Sequence, residues 1–70
     1  MRDAIVVEKA GNNYSAYTPD LPGCIATGAT IEETEREMRA AIEFHIEGLI
    51  EDGVSVPLPE SIVEYLEVAA

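Results

Sequence analysis

Residues 30–53, TIEETEREMRAAIEFHIEGLIEDG, read as a single amphipathic helix with both of its ends written in. Thr30 and Glu33 have the spacing of a capping box: the Thr30 hydroxyl can accept from the Glu33 backbone N–H while the Glu33 carboxylate reaches back to the Thr30 N–H. Glu32, Glu33 and Glu35 put negative charge where the helix dipole is positive. At about 100° per residue, Ile31, Met38, Ile42, His45, Ile46 and Leu49 fall on one stripe, and Glu33, Arg36, Glu43, Glu47 and Glu51 fall opposite. Gly53 supplies the left-handed residue that commonly stops a helix. A helix apolar along one stripe needs a second layer to bury it.

The residues before Thr30 supply that layer. Ala4-Ile5-Val6-Val7 is apolar, largely β-branched and bounded by charge, so it reads as a first strand. Ala10-Gly11-Asn12-Asn13 is hairpin chemistry leading into a second strand at Tyr14-Ser15-Ala16-Tyr17-Thr18. Alternation there sets Tyr14, Ala16 and Thr18 on one face and Ser15 and Tyr17 on the other. Pro19-Asp20-Leu21-Pro22-Gly23 reads as a turn or loop, and Cys24-Ile25-Ala26-Thr27 resumes an extended pattern up to Gly28. Three short strands in succession suggest an antiparallel meander. Beyond the helix, Pro57 and Pro59 mark an extended linker. The last segment, Ile62 to Val68, is β-branched enough to expect a further strand, although Leu66 and the glutamates would also suit a short helix. The expectation is an α+β fold in the order β-β-β-α-β, one domain over residues 1–70, with the helix on one face of the sheet.

Charge limits what such a domain can bind. The chain has 14 acidic residues against 4 basic ones, a formal net charge of −10. Arg2, Lys9, Arg36 and Arg39 are too few and too scattered to neutralise a phosphate backbone, so direct nucleic-acid binding is not expected. Anionic membrane surfaces are disfavoured for the same reason. A basic protein is the natural complement, while the plainer reading is that acidity maintains solubility. Cys24 is the one cysteine and fits a reducing cytosol. No stretch reads as a signal peptide or a membrane span, and a cytoplasmic location is expected. A core this small is marginal, which favours self-association as a dimer or tetramer.

Catalysis has little to draw on. The Glu43, Glu47, Glu51 ladder could be taken for a metal face, but a solvated helix face is the ordinary meaning of such spacing, and no Glu-x-x-His accompanies it. Its like charges four residues apart are mildly destabilising, and a basic partner would relieve that. His45 lies on the apolar stripe, where a packing role is the common one. Cys24 reads as a small buried hydrophobe. No catalytic residue, metal or cofactor is expected. Phe44 differs: it points about 160° away from Ile42, beside Ala40 and Gly48, where a monomer leaves a large aromatic in water. An exposed aromatic with small neighbours is either tolerated or an anchor for another protein.

The run Tyr14-Ser15-Ala16-Tyr17-Thr18-Pro19-Asp20-Leu21-Pro22-Gly23-Cys24, followed by Thr27-Gly28-Ala29-Thr30-Ile31-Glu32-Glu33, resembles the characteristic segment of the HicB-like antitoxins. Residues 53–59 and 63–68 are similar to that family as well, so the resemblance spans nearly the whole chain. It implies a partial RNase H-like fold and the neutralising half of a type II toxin–antitoxin pair. The implied partner is a HicA-type toxin, a small basic mRNA interferase that uses a histidine and is silenced when its active site is covered. Tyr17, Asp20, Glu43, Phe44, Glu47 and Glu51 are the residues expected to face a partner or a second copy. Many members carry a further C-terminal DNA-binding module that residues 1–70 lack, so the resemblance is to a short form, and autoregulation of transcription is not expected of it. The alternative is a stand-alone oligomeric scaffold or regulatory module without a cognate toxin.

Overall fold

The computed structural model describes residues 1–69, in the order β1 (Val6–Ala10), β2 (Asn13–Tyr17), β3 (Ile25–Gly28) and α1 (Ile31–Glu51). The strands form an antiparallel sheet in the order β1-β2-β3, a meander. The first strand begins two residues later than the apolar run and continues through Glu8 and Lys9 to Ala10. The reason is the turn: only Gly11 and Asn12 separate the strands, and the ladder closes on Ala10 opposite Asn13. Pairing therefore outweighs the low strand propensity of Glu8 and Lys9.

Register sorts the side chains into two faces. Val7, Ala16 and Ala26 stand in one row, and Ala16 is buried against the helix side with Val7 and Ala26 packed around it. Val6, Tyr17 and Ile25 form the adjacent row on the opposite face. The helix covers β3 and β2 and reaches β1 much less, so the two layers overlap unevenly.

The link from β2 to β3 is two consecutive turns. Leu21 N–H donates to Thr18 O at 3.3 Å across Pro19-Asp20, and Cys24 N–H donates to Leu21 O at 3.1 Å across Pro22-Gly23. Proline in second place suits each turn, and Gly23 at φ +83° provides the left-handed third position that the second one requires. Together they fold the loop inward. Leu21 is 1% exposed and Cys24 is buried beside it, so the apolar core consists of Ala16, Leu21, Cys24 and Met38, flanked by half-buried Ile5, Val7, Ala41, Ile42, Ile46 and Leu49.

The helix begins and ends much as its sequence specifies. Thr30 Oγ1 accepts from Glu33 N–H at 3.0 Å, and the Glu33 carboxylate reaches back one residue further than expected, to Ala29 N–H at 2.9 Å rather than Thr30 N–H. At the other end Gly53 N–H donates to Ile50 O at 3.1 Å and Val54 N–H to Leu49 O at 2.9 Å, the paired closure of a Schellman motif. Thr34, absent from the apolar stripe, is completely buried: its hydroxyl donates to Thr30 O at 2.7 Å, which removes the cost of burying it. Ile31, placed on the stripe, is instead 44% exposed, because it sits at the first helical position ahead of the turn that packs on the sheet.

The expected final strand does not form. Residues 54–69 carry neither helix nor strand, and Ile62, Tyr65, Leu66 and Val68 are all at least 81% exposed. A strand exists only through a ladder partner, and among the described residues this segment pairs with no strand. Its anchor is Ser61, whose N–H and hydroxyl donate to the two Asp20 carboxylate oxygens at 3.2 and 3.1 Å.

Candidate partner-binding surface

Three surfaces stand out, and each follows from the element that carries it. On α1, Glu43, Glu47 and Glu51 are one helical turn apart and all exposed, a column of three carboxylates with about 6 Å between successive residues. Phe44 stands beside this column at 78% exposure, one turn from the small side chains of Ala40 and Gly48. Rotation along the helix forces the arrangement: if Ile42 and Ile46 face the sheet, Phe44 cannot. The result is an aromatic projecting from an acidic field, a combination suited to holding a cation-rich protein surface.

The second surface is the outer face of the sheet. Tyr17 is 42% and Ile25 67% exposed, with Val6 completing the row across all three strands. Because Ala16 faces α1, its neighbour Tyr17 faces away from it. The structure thus separates the sequence candidates: Phe44, Glu43, Glu47 and Glu51 share one side of the molecule, and Tyr17 lies on the other. Asp20 belongs to neither group, since its carboxylate is engaged with Ser61.

The third is a groove of about 520 Å³ between the N-terminal residues and α1, with Ile5, Met38, Ile42 and Ile46 along it and Arg2 and Arg39 at its rim. It lies where the helix fails to reach β1. Sequence reasoning missed it, because the offset between two layers is not encoded in the period of either.

The groups able to do acid–base or nucleophilic chemistry are dispersed. Cys24 is buried, and burial, reinforced by the negative charge of Asp3, raises its thiol pKa, so the thiolate a nucleophile needs is disfavoured. His45 is half-buried on the sheet-facing side of the helix. Among the described residues no three His, Cys, Asp or Glu side chains converge as ligands of a metal would. No described helix is long and apolar enough to cross a membrane.

The fold and these surfaces define a small acidic α+β protein. Residues 4–69 match the family described as HicB-like antitoxin of bacterial toxin–antitoxin systems, and the chain belongs to that family. An uncharacterised 14.9 kDa protein of Haemophilus phage HP1 is 39% identical over 62 residues, covering 89% of this chain and 47% of the phage protein. The chain thus spans about half the length of that relative. The crystal structure of the N-terminal domain of the Burkholderia pseudomallei antitoxin HicB is similar at 39% identity and a TM-score of 0.74, covering 83% of this chain and 69% of that one. A chain of the HicA3 and HicB3 toxin–antitoxin complex is similar at 29% identity and a TM-score of 0.71, covering 81% and 67%. The family, the α+β class, the three-stranded meander and the long helix expected from the sequence therefore hold, while the further strand expected after the helix does not form.

Proposed function

We propose that this chain, acting as one domain, is the antitoxin of a toxin–antitoxin pair and silences a small basic HicA-type mRNA interferase by binding over its active site. The observation that carries the proposal is the likeness to a chain of a solved toxin–antitoxin complex, joined to membership of the antitoxin family. The net charge of −10 and the exposed Glu43, Glu47, Glu51 column beside Phe44 support it, because a basic enzyme is drawn to such a field and an aromatic anchor fixes its pose. The chain acts through contact and without catalysis, metal, cofactor or direct nucleic-acid binding, in the cytoplasm and as a homo-oligomer.

The test is neutralisation. A HicA-type toxin is expressed with and without this chain, and the two purified proteins are titrated at low and high salt. Rescue of growth is expected, with association slowing as salt rises. Glu43→Lys combined with Glu47→Lys should slow association, and Phe44→Ala should speed dissociation. A toxin that stays lethal in the presence of this protein would leave the scaffold reading in its place.

A further inference from the structure

The isolated chain is an incomplete globule. Its accessible surface is 5612 Å², against roughly 4,300 Å² expected of a compact monomer of its mass. Its radius of gyration is 13.7 Å, against about 11 Å for a compact chain of this length. The excess surface, about 1,300 Å², exceeds the roughly 800 Å² that each partner commonly buries in a stable complex. Much of that excess lies in the C-terminal segment, where Ile62, Leu66 and Val68 are at least 81% and Tyr65 is 92% exposed.

We infer that residues 62–69 of one copy add as a strand to the free edge of β1 in a second copy and cover the groove between β1 and α1, in a reciprocal exchange. Donor and acceptor are both present on the chain. In the sheet order β1-β2-β3, β1 pairs on one side only, so its other edge offers unpaired backbone groups. Beside that edge runs the groove holding Ile5, Met38, Ile42 and Ile46. A strand laid there directs Ile62, Glu64, Leu66 and Val68 to the groove and Val63, Tyr65 and Glu67 to the outer face, where they extend the row of Val6, Tyr17 and Ile25.

Charge agrees with this placement. The segment's charged residues are Glu64 and Glu67, with Glu60 just before it. Three of the chain's four cations surround the acceptor: Arg2 and Arg39 at the groove and Lys9 on β1. Asp3, Glu35 and Glu43 line the same groove, which is therefore close to neutral in a chain of net charge −10 and does not repel an acidic strand as the rest of the surface does.

The segment is poorly placed to fill its own groove. Ser61 is tied to Asp20 on the β2–β3 connection, across the sheet from the β1 edge. Crossing two strand spacings, about 10 Å, would consume roughly three extended residues and shorten the ladder that the segment can form. A second copy imposes no such detour, and because each copy gives and receives, the exchange closes as a twofold dimer.

This inference rests on the oligomeric part of the proposed function and is independent of the toxin. Native mass spectrometry of the full chain is expected to show twice 7.6 kDa. A 1:1 mixture of isotope-labelled and unlabelled chains should give intermolecular NOEs from Leu66 to the Ile42 and Ile46 methyls and from Tyr65 to the Val6 methyls. Ile62→Glu with Leu66→Glu should halve the mass and leave the helical circular dichroism unchanged. A monomeric wild-type mass overturns both the oligomer and the exchange. A dimer whose tail NOEs are absent or wholly intramolecular, or a double variant that stays dimeric, overturns the exchange and leaves the oligomer standing.

Discussion

Ile5-Val6-Val7 and Ile62-Val63 are nearly alike in composition, yet one belongs to the structured sheet region and the other lies in solvent. Ile5 and Val7 pack against the core, while Ile62 is 81% exposed and its neighbours Tyr65 and Leu66 are exposed at 92% and 87%. The difference lies in what each stretch meets. The first is followed by a two-residue turn and a complementary strand five residues long, so its ladder closes at little entropic cost. The second follows a linker containing two prolines and is tied at Ser61 to Asp20 on the β2–β3 connection, across the sheet from the free edge of β1. Apolar, β-branched sequence is thus a capacity for pairing, and local chain geometry decides whether that capacity is used within the molecule.

Substitutions in the two regions should therefore diverge, and urea denaturation followed by circular dichroism measures the gap. Met38 is fully buried in the body, and Met38→Ala should cost about 2–5 kcal/mol, enough to unfold much of a chain this small. Gly28→Ala comes next. A Cβ there would lie 2.6 Å from Thr34 Oγ1 and 2.7 Å from Thr34 N, so the first helical turn must move off β3, at a cost of about 1–3 kcal/mol. Thr30→Ala removes the acceptor for Glu33 N–H and should cost about 1 kcal/mol. In the tail, Leu66→Ala measured at a dilution where the chain is monomeric should change stability by less than about 0.5 kcal/mol. A large effect of Leu66→Ala under those conditions would break the comparison, because it would mean the tail already packs on its own body.

Where the sequence was readable, a local physical rule was in force. The cap at Thr30, the closure after Glu51 and the hairpin at Gly11-Asn12 each involve residues within a few positions of one another, so type and spacing suffice. Leu21 escaped notice because a leucine between two prolines reads as a loop, and only the inward fold of two successive turns shows that it fills the core. Thr34 escaped for a different reason. It stands four residues before Met38 on the same face, but its hydroxyl masked it until the hydrogen bond to Thr30 O was seen. The candidate contacts were only partly legible: exposure of Phe44 and the Glu43, Glu47, Glu51 column followed from helical rotation, whereas Asp20 proved to hold Ser61 in place.

By itself the sequence determined the element types from β1 to α1, the caps, the division of β2 into two faces and the acidic charge, because all of these depend on periodicity and near neighbours. The tertiary structure alone decided that α1 leaves β1 partly uncovered, that Tyr17 and Phe44 lie on opposite sides, and that the last apolar segment pairs with no strand among the described residues. Those are relations between elements far apart in sequence, set by how layers pack and which edges remain free, and no residue spacing records them.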